Sequence, residues 1–545
     1  PPPASALRRK QPHPMLQSHL QDTWVTPTAG PASATAVRDA VTGETVCHVS
    51  AEGLDLAGAY HHALRVGGPA LRDLTFHGRA DLLDAVAAAV RARREELYAL
   101  SARAGSTLND ARYDIDGGIR VLRDHAARAR AELPDAPHLV EGPAERLARG
   151  ADFLGVHLLS PSPGLMLQVN AFNFPVWAPL EKLAQAVLAG LPSLVKPATP
   201  TAYLTAHLVR IVADAGVLPP GVLQMFAGSA RSALDLLGEQ DVLSFTGSAA
   251  TAATLRTHPN LVARSVRFNA EADSVNAIVL APDVRPGSAL FAAFVREVVT
   301  EMTVKAGQKC TAVRRVLVPR EHEAAALDAI AGELAGVTVG DPTADGVRMG
   351  ALVSLDQRED VRRAVRTIAR SGRLVHGDPD KVRVVDADPE RGAFLDTLLV
   401  SADPDAAAPH EVEPFGPAAT VLAYRDTAHA LDLVARGRGS LVASAVGDDL
   451  AWTTAFVREL APWHGRLHLL DSTNMDQTTG HGSPLPALRH GGPGRAGGGS
   501  ELGGVHGVLD LMQRTALQAS PRLLDTLPAA RPSSPASPAT AESGR

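Results

Sequence analysis

The sequence predicts an α/β protein of two lobes, each a parallel sheet wound by helices, with a small β extension. Three observations carry that prediction. After residue 160, the short apolar runs "GLMLQV", "SLVKP", "VLQMFAG", "VLSFTG" and "ARSVRF" alternate with helical segments. Strands alternating with helices of this length imply a parallel sheet covered on both faces. A second alternating region runs from about Asn276 to Asp471 through "NAIVLAPD", "RRVLVP", "PAATVLAY", "LVASAV" and "GRLHLLD". Ahead of the first lobe, "ADFLGVHLLSPSPG" reads as a strand pair lying off the main sheet. Two such lobes leave a cleft between them, the usual place for a ligand.

Residues 79 to 131 read as helices, because "RADLLDAVAAAVRARREELYAL" spaces its apolar residues at helical intervals with arginines and glutamates between. The segment 178 to 190 has Pro179 in its first turn and Gly190 beyond its end, and Leu180, Leu183, Ala184, Val187 and Leu188 form one apolar stripe. The chain has 545 residues, 45% of them hydrophobic and 21% charged, enough for two or three domains with cores of their own. A formal net charge of −6 argues against nucleic acid as a partner. No run of 18 apolar residues appears, so no membrane span is expected. Cys47 and Cys310 are the only cysteines, too few for a disulfide framework, which suits a reducing cytoplasm. The opening stretch, 1 to 14, and the Pro/Ser/Ala-rich 521 to 545 read as a disordered leader and tail.

Five stretches carry candidate chemistry. Phe291, Phe294, Val295, Val298, Val299 and Met302 mark a helix stripe closing at Gly307, which leaves Cys310 in a turn before the strand "VRRVLVP". With Lys309 beside it, this thiol could present a thiolate, although composition alone favours a small core filler. In "NAFNFPVWAPLEKLAQAV", Asn173 lies between a strand end and a helix start, where its amide can be aimed into a pocket or simply serve a turn. "LVKPATPTAY" puts Lys196 at the carboxyl end of a strand, where wound sheets bind nucleotides; a solvated lysine is the plain alternative. "SFTGSAATAATL" places Phe245, Gly247 and Ser248 at a strand-to-helix turn, a fragment of a dinucleotide fingerprint that lacks its later glycines. In "RFNAEADSVNAIVL", Glu271 occupies an apolar setting between strands, fit for a general base or for an ordinary cap or ion pair.

Taken in order, "FNFP", "VKPA", "FTGS", "GQKC", "EPFGP" and "GGGSELGG" resemble the functional elements of the aldehyde dehydrogenase superfamily, over roughly residues 20 to 518. "FNAEADSVN", "REVVTEMTVKAGQKCTAVRR" and "TGHGSPLPALRHGGPGRAGGGSELGG" are similar to its CoA-linked semialdehyde dehydrogenases of bacterial aromatic catabolism, on phenylacetate or benzoate. That resemblance implies a Rossmann-type NAD(P)-binding domain (15–144 and 163–275), a catalytic domain (276–480) and oligomerisation strands (145–162 and 510–520). It also implies a C-terminal active-site segment (481–509). It makes Cys310 the nucleophile and assigns the oxyanion to the Asn173 amide and the Cys310 backbone N–H. Glu271 becomes the base that activates water, and Lys182 and Glu501 become polar residues around proton transfer, with a surface lysine off its helix's apolar stripe and a helix N-terminal carboxylate as their plain alternatives. The wider family carries its base in an E-L-G-G run, and counting back from Asn276 puts Asn269 there, so the assignment to Glu271 follows the CoA-linked branch.

The resemblance further implies that Lys196 meets the adenosine ribose, Ser248 the pyrophosphate, and Glu413 with Phe415 the nicotinamide ribose. Three residues after Lys196, where NAD-preferring members often carry a glutamate, stands Thr199. A carboxylate would repel a 2′-phosphate and a threonine does not, so NADP is expected, with NAD as the alternative. No metal is assigned. The expected substrate is an acyl-CoA semialdehyde, the expected assembly a homodimer or larger homo-oligomer, and hydration is left to a separate enoyl-CoA hydratase. Two rivals stand beside this reading: a CoA-acylating dehydrogenase and a non-catalytic relative that binds or scaffolds. His481 and its neighbouring glycines belong to the branch pattern but gain no physical role from the sequence.

Overall fold

The computed structural model describes residues 14–150, 152–489, 491–500 and 503–527. Its first lobe is a seven-stranded sheet. Five parallel strands lie side by side in the order Arg267–Glu271, Val242–Thr246, Met166–Val169, Ser193–Lys196 and Leu223–Met225. The hairpin Ser18–Leu20 and Thr23–Val25 extends the far edge antiparallel. Chain order reverses on either side of Met166–Val169, the first of the five, and such a reversal opens a crevice at the carboxyl ends of the strands.

The helices packed on this sheet include Phe76–Ala92, Leu108–Glu132 and Trp177–Leu188, with a core of Leu83, Ile115, Leu122, Leu180 and Leu183, all within 1% of full burial. Gly117 is spent on that packing. A Cβ there would stand 2.2 Å from the Trp177 ring, so only glycine lets the indole lie against the helix.

The second lobe is also seven-stranded, in the order Gly372–His376, Leu398–Ala402, Ala418–Tyr424, Arg315–Pro319, Ala277–Leu280, Ser440–Val446 and His464–Leu470. Only the Gly372–His376 edge strand runs antiparallel. A third sheet pairs Leu154–Ser160 with Leu139–Arg146 on one side and Gln513–Ala519 on the other, both antiparallel. No helix among the described residues is long and apolar enough to cross a membrane.

Several expectations are corrected. The run "ARSVRF" is a strand only from Arg267, because Ser265 sits at φ +52 and breaks the extension. The strand then continues through Glu271, which is its last residue rather than part of a connection between strands. The helix before Cys310 ends at Thr303, not Gly307; Lys305, Ala306 and Gly307 follow in the left-handed region at φ +53, +51 and +66. Leu398–Ala402 and Gly372–His376, unread in the sequence, complete the second sheet. The predicted leader falls outside the described residues apart from Pro14. Of the predicted tail, Pro521–Leu524 is a helical turn, and 528–545 lie outside.

Candidate active site

A cleft of about 800 Å³, its open mouth included, runs between the lobes, and Cys310, Asn173, Lys182, Glu271 and Phe245 all line it. Each arrives by a different local route.

Cys310 is delivered by a backbone reversal. Left-handed residues other than glycine cost roughly 1–2 kcal/mol each, and two precede the cysteine, so the turn has to be held from outside. Asp110 accepts from Lys305 N at 2.7 Å, and the Gln308 side chain donates to Lys305 O at 3.1 Å while accepting from Val353 N at 3.0 Å. Arg314, fully buried, donates to Gly307 O, Lys309 O and Gly416 O. Gly307 itself allows no Cβ, which would meet Gly416 O at 2.2 Å. On the other side of the turn, Asn276 Nδ2 donates to Cys310 O at 2.8 Å and to Ala312 O at 3.0 Å. The thiol is therefore half-buried at the cleft on a clamped backbone, and the core-filler reading fails on geometry.

Lys309 feels the charge of Cys310, and it serves a second group as well. Its ammonium is buried and bonded to Glu301 at 2.7 Å, so its charge is shared with a carboxylate. His481 completes this layer under the nucleophile turn. It is fully buried, its imidazole is held well below its ordinary pKa by desolvation, and Nδ1 lies 2.6 Å from Ser444 Oγ. The backbone of the next residue, Gly482, accepts from Thr311 Oγ1 at 2.9 Å and from Tyr113 Oη at 3.1 Å.

Asn173 stands in the connection from Met166–Val169 to the helix Trp177–Leu188. Thr201 and Thr205 pin that connection by donating to Phe172 O and Pro175 O. The Asn173 carboxamide is 7% exposed and has no hydrogen-bond partner among the described residues, so its N–H is available to a ligand oxygen. Lys182 is no surface lysine. It is 7% exposed, and Nζ donates to Asn170 Oδ1 at 2.7 Å and to Thr246 Oγ1 at 2.8 Å. Thr246 in turn donates to Glu271 Oε2 at 3.4 Å, a long bond that links lysine to carboxylate through one hydroxyl. Asn269 also lines the cleft. Side chains two apart on a strand share a face, so moving the carboxylate from 269 to 271 keeps it pointing into the same space.

The other predicted residues that are described lie off this cleft. Lys196 ends its strand half-buried, its ammonium without a hydrogen bond among the described residues, and desolvation lowers its pKa. Thr199 opens the next turn, also half-buried. Gly247 N donates to Glu271 O, and Ser248 caps the helix Ala249–Arg256 by accepting from Thr251 N. Asp273 accepts from Ala249 N at 2.9 Å, so a carboxylate already shares that helix start. Glu413 accepts from Ser274 N at 3.0 Å and faces Arg314 at 3.5 Å. Phe415 meets Phe172 edge-on at 5.7 Å and lies under the Arg314 guanidinium. Glu501 lies outside the described residues.

The model for the aldehyde dehydrogenase family matches residues 24–513. The chain belongs to the aldehyde dehydrogenase family. The 3,4-dehydroadipyl-CoA semialdehyde dehydrogenase of Aromatoleum evansii is 44% identical over 481 residues, 88% of this chain and 93% of the relative. A non-phosphorylating aspartate-semialdehyde dehydrogenase of Halomonas elongata is 27% identical over 85% of this chain and 89% of its own length. Among solved structures, an NAD-dependent aldehyde dehydrogenase from Sinorhizobium meliloti superposes with a TM-score of 0.79 at 23% identity. That match covers 95% of this chain and 97% of the other. PnpE in complex with nicotinamide adenine dinucleotide superposes equally, with a TM-score of 0.79 at 22% identity over 92% and 97% of the two chains. The motifs therefore led to the right family, and the molecule is an aldehyde dehydrogenase.

Burial pushes the Glu413 carboxyl up to about 7 against the pull of Arg314, while Arg314 itself is lowered by the same burial. Because the folded value lies above the ordinary 4.5, the native state keeps a proton that the unfolded chain releases. The stabilisation this gives is complete below about 4.5 and lost as pH rises through about 7. In thermal unfolding, Glu413→Gln is expected to gain on the wild type between pH 5 and pH 8; a gap that does not move over that range would contradict this.

Proposed function

We propose that this aldehyde dehydrogenase oxidises the aldehyde of an acyl-CoA semialdehyde to the carboxylic acid through a thioester on Cys310, using NADP, in aerobic phenylacetate or benzoate degradation. The observation that carries the reading is the convergence of Cys310, Asn173, Lys182 and Glu271 on one cleft. Similarity to a CoA-semialdehyde dehydrogenase over 88% of the chain supports the substrate class.

Lys196, its ammonium desolvated at a strand end without an acceptor among the described residues, fits a ribose hydroxyl or phosphate, and Thr199 beside it brings no negative charge. A nicotinamide dinucleotide, when bound, supplies the hydride acceptor. The chain's own residues do the rest. The Cys310 sulfur bonds the aldehyde carbon, and the Asn173 amide donates to the oxyanion that forms. After oxidation the acyl group stays on the sulfur. Glu271 takes a proton from water so that hydroxide can attack the thioester carbon and release the acid and the Cys310 thiolate, and Lys182 and Thr246, donating in series, hold the Glu271 carboxylate in place for that transfer. A homodimer or larger assembly is supported by the edges Leu139–Arg146 and Gln513–Ala519 of the three-stranded sheet, both largely exposed, because open edges favour a covering partner. A separate enoyl-CoA hydratase would act beside it.

The test compares phenylacetate- and benzoate-derived CoA semialdehydes with NADP and NAD, reporting kcat/KM for each. Oxidation without preference for a CoA thioester would overturn the substrate reading. Thr199→Glu is expected to lower the NADP-to-NAD ratio at least about tenfold, since a carboxylate near a 2′-phosphate is repelled by more than 1 kcal/mol at a few ångströms. An unchanged ratio would place cofactor selection elsewhere.

A further inference from the structure

We infer that the groove between the helices Phe76–Ala92 and Leu108–Glu132 binds the phosphates of the CoA moiety through Arg120 and Arg123, with Arg91 opposite. This deepens the proposed function and rests on its substrate class. The groove holds about 1130 Å³, its open mouth included, and is lined by both signs of charge. Its acids are already satisfied: Asp84 by Arg130 at 2.8 Å, Asp124 by Arg128 at 3.2 Å, and Asp116 by Tyr98 Oη at 2.7 Å. Arg91, Arg120 and Arg123 are exposed and have no carboxylate partner among the described residues. Three uncompensated guanidinium groups thus face one groove in a chain of net charge −6. Guanidinium forks match phosphate oxygens two at a time, which favours a phosphomonoester and a diphosphate over a simple halide or carboxylate.

Position ties the groove to the catalytic cleft. Tyr113, Gly117 and Arg120 follow each other at four and three residues on the helix Leu108–Glu132 and so form one ridge. Tyr113 lines the cleft, and Trp177, packed on Gly117, lines it too. At 1.5 Å per residue, Arg120 lies about 10 Å and Arg123 about 15 Å beyond Tyr113 along the axis. An extended pantetheine arm, an amide-linked chain of roughly four residue lengths, reaches about 15 Å. A thioester at the mouth beside Tyr113 would therefore deliver its nucleotide end to the arginines while the aldehyde points at Cys310.

The experiment uses the full chain and two substrates with the same semialdehyde acyl group, one on CoA and one on pantetheine. For the double variant Arg120→Ala/Arg123→Ala, kcat/KM on the CoA thioester is expected to fall at least tenfold through KM, with kcat held. On the pantetheine thioester it should stay within twofold. Arg120→Lys/Arg123→Lys should recover part of the loss. An equal fall on both substrates, or none on either, overturns the inference while leaving the proposed function in place. Calorimetry with adenosine 3′,5′-bisphosphate decides independently of turnover. Binding by the wild type that the double variant loses supports the site even if the CoA semialdehyde is not oxidised. No binding, or inorganic phosphate binding as tightly, overturns it.

Discussion

Replacing Cys310 with alanine is expected to abolish aldehyde oxidation, by about four orders of magnitude or more, because Cys310 is the one thiol among the described residues that line the cleft. The variant should fold. Cys310 is only half-buried, and its turn is held by Asn276, Arg314 and Gln308 through backbone atoms that the substitution leaves in place. Cofactor affinity, read by fluorescence of the bound dinucleotide, should change little. Residual oxidation within a hundredfold of the wild type would mean that a different nucleophile carries the chemistry.

The second large effect concerns release of the acid. Glu271→Gln keeps the shape of the strand end and the contact to Thr246 but removes the carboxylate that accepts the proton from water. A positioned general base contributes about 10²–10⁴-fold, so steady turnover should fall in that range. The first turnover should survive, giving a burst of one reduced cofactor per active subunit followed by a slow phase. Rapid mixing monitored at the absorbance of the reduced dinucleotide resolves the two. Free CoA that restores fast turnover to the Gln variant would favour the acylating reaction. Full acid production without CoA would remove Glu271 from the role.

Much of this site was legible in the sequence. Periodicity put Cys310 in a turn before a strand, and the structure keeps it there although the helix stops four residues earlier than Gly307 suggested. What periodicity could not show is the left-handed pair Lys305 and Ala306, since neither residue type advertises a positive φ. Lys182 was ambiguous for a related reason. Its position off the apolar stripe of one helix says nothing about Asn170 and Thr246, which reach it from two separate strand ends. Arg314 illustrates the same limit. Nothing in the run "VRRVLVP" shows that it is buried and ties the nucleophile turn to Gly416 and the Glu413 strand connection.

Elements near the edge of the second lobe were harder still. Gly372–His376 is exposed at its start and carries Arg373, so its pattern resembles a loop. Leu398–Ala402 follows the turn "DPERG" only after the irregular stretch "AFLDT", whose apolar residues hide where the strand begins. His481 had motif context but no visible partner. Its place beneath Thr311 and beside Ser444 appears only when the segment 481–484 folds back over the buried Lys309–Glu301 pair.

Intact-protein and peptide mass spectrometry of the Glu271→Gln variant, quenched in acid within a second of mixing with CoA semialdehyde and NADP, bears most directly on the central chemistry. The account predicts a mass increase equal to the acyl-CoA group, carried by the peptide that contains Cys310 and released by hydroxylamine. Reduced cofactor formed without any adduct, or an adduct on a different residue, would contradict it.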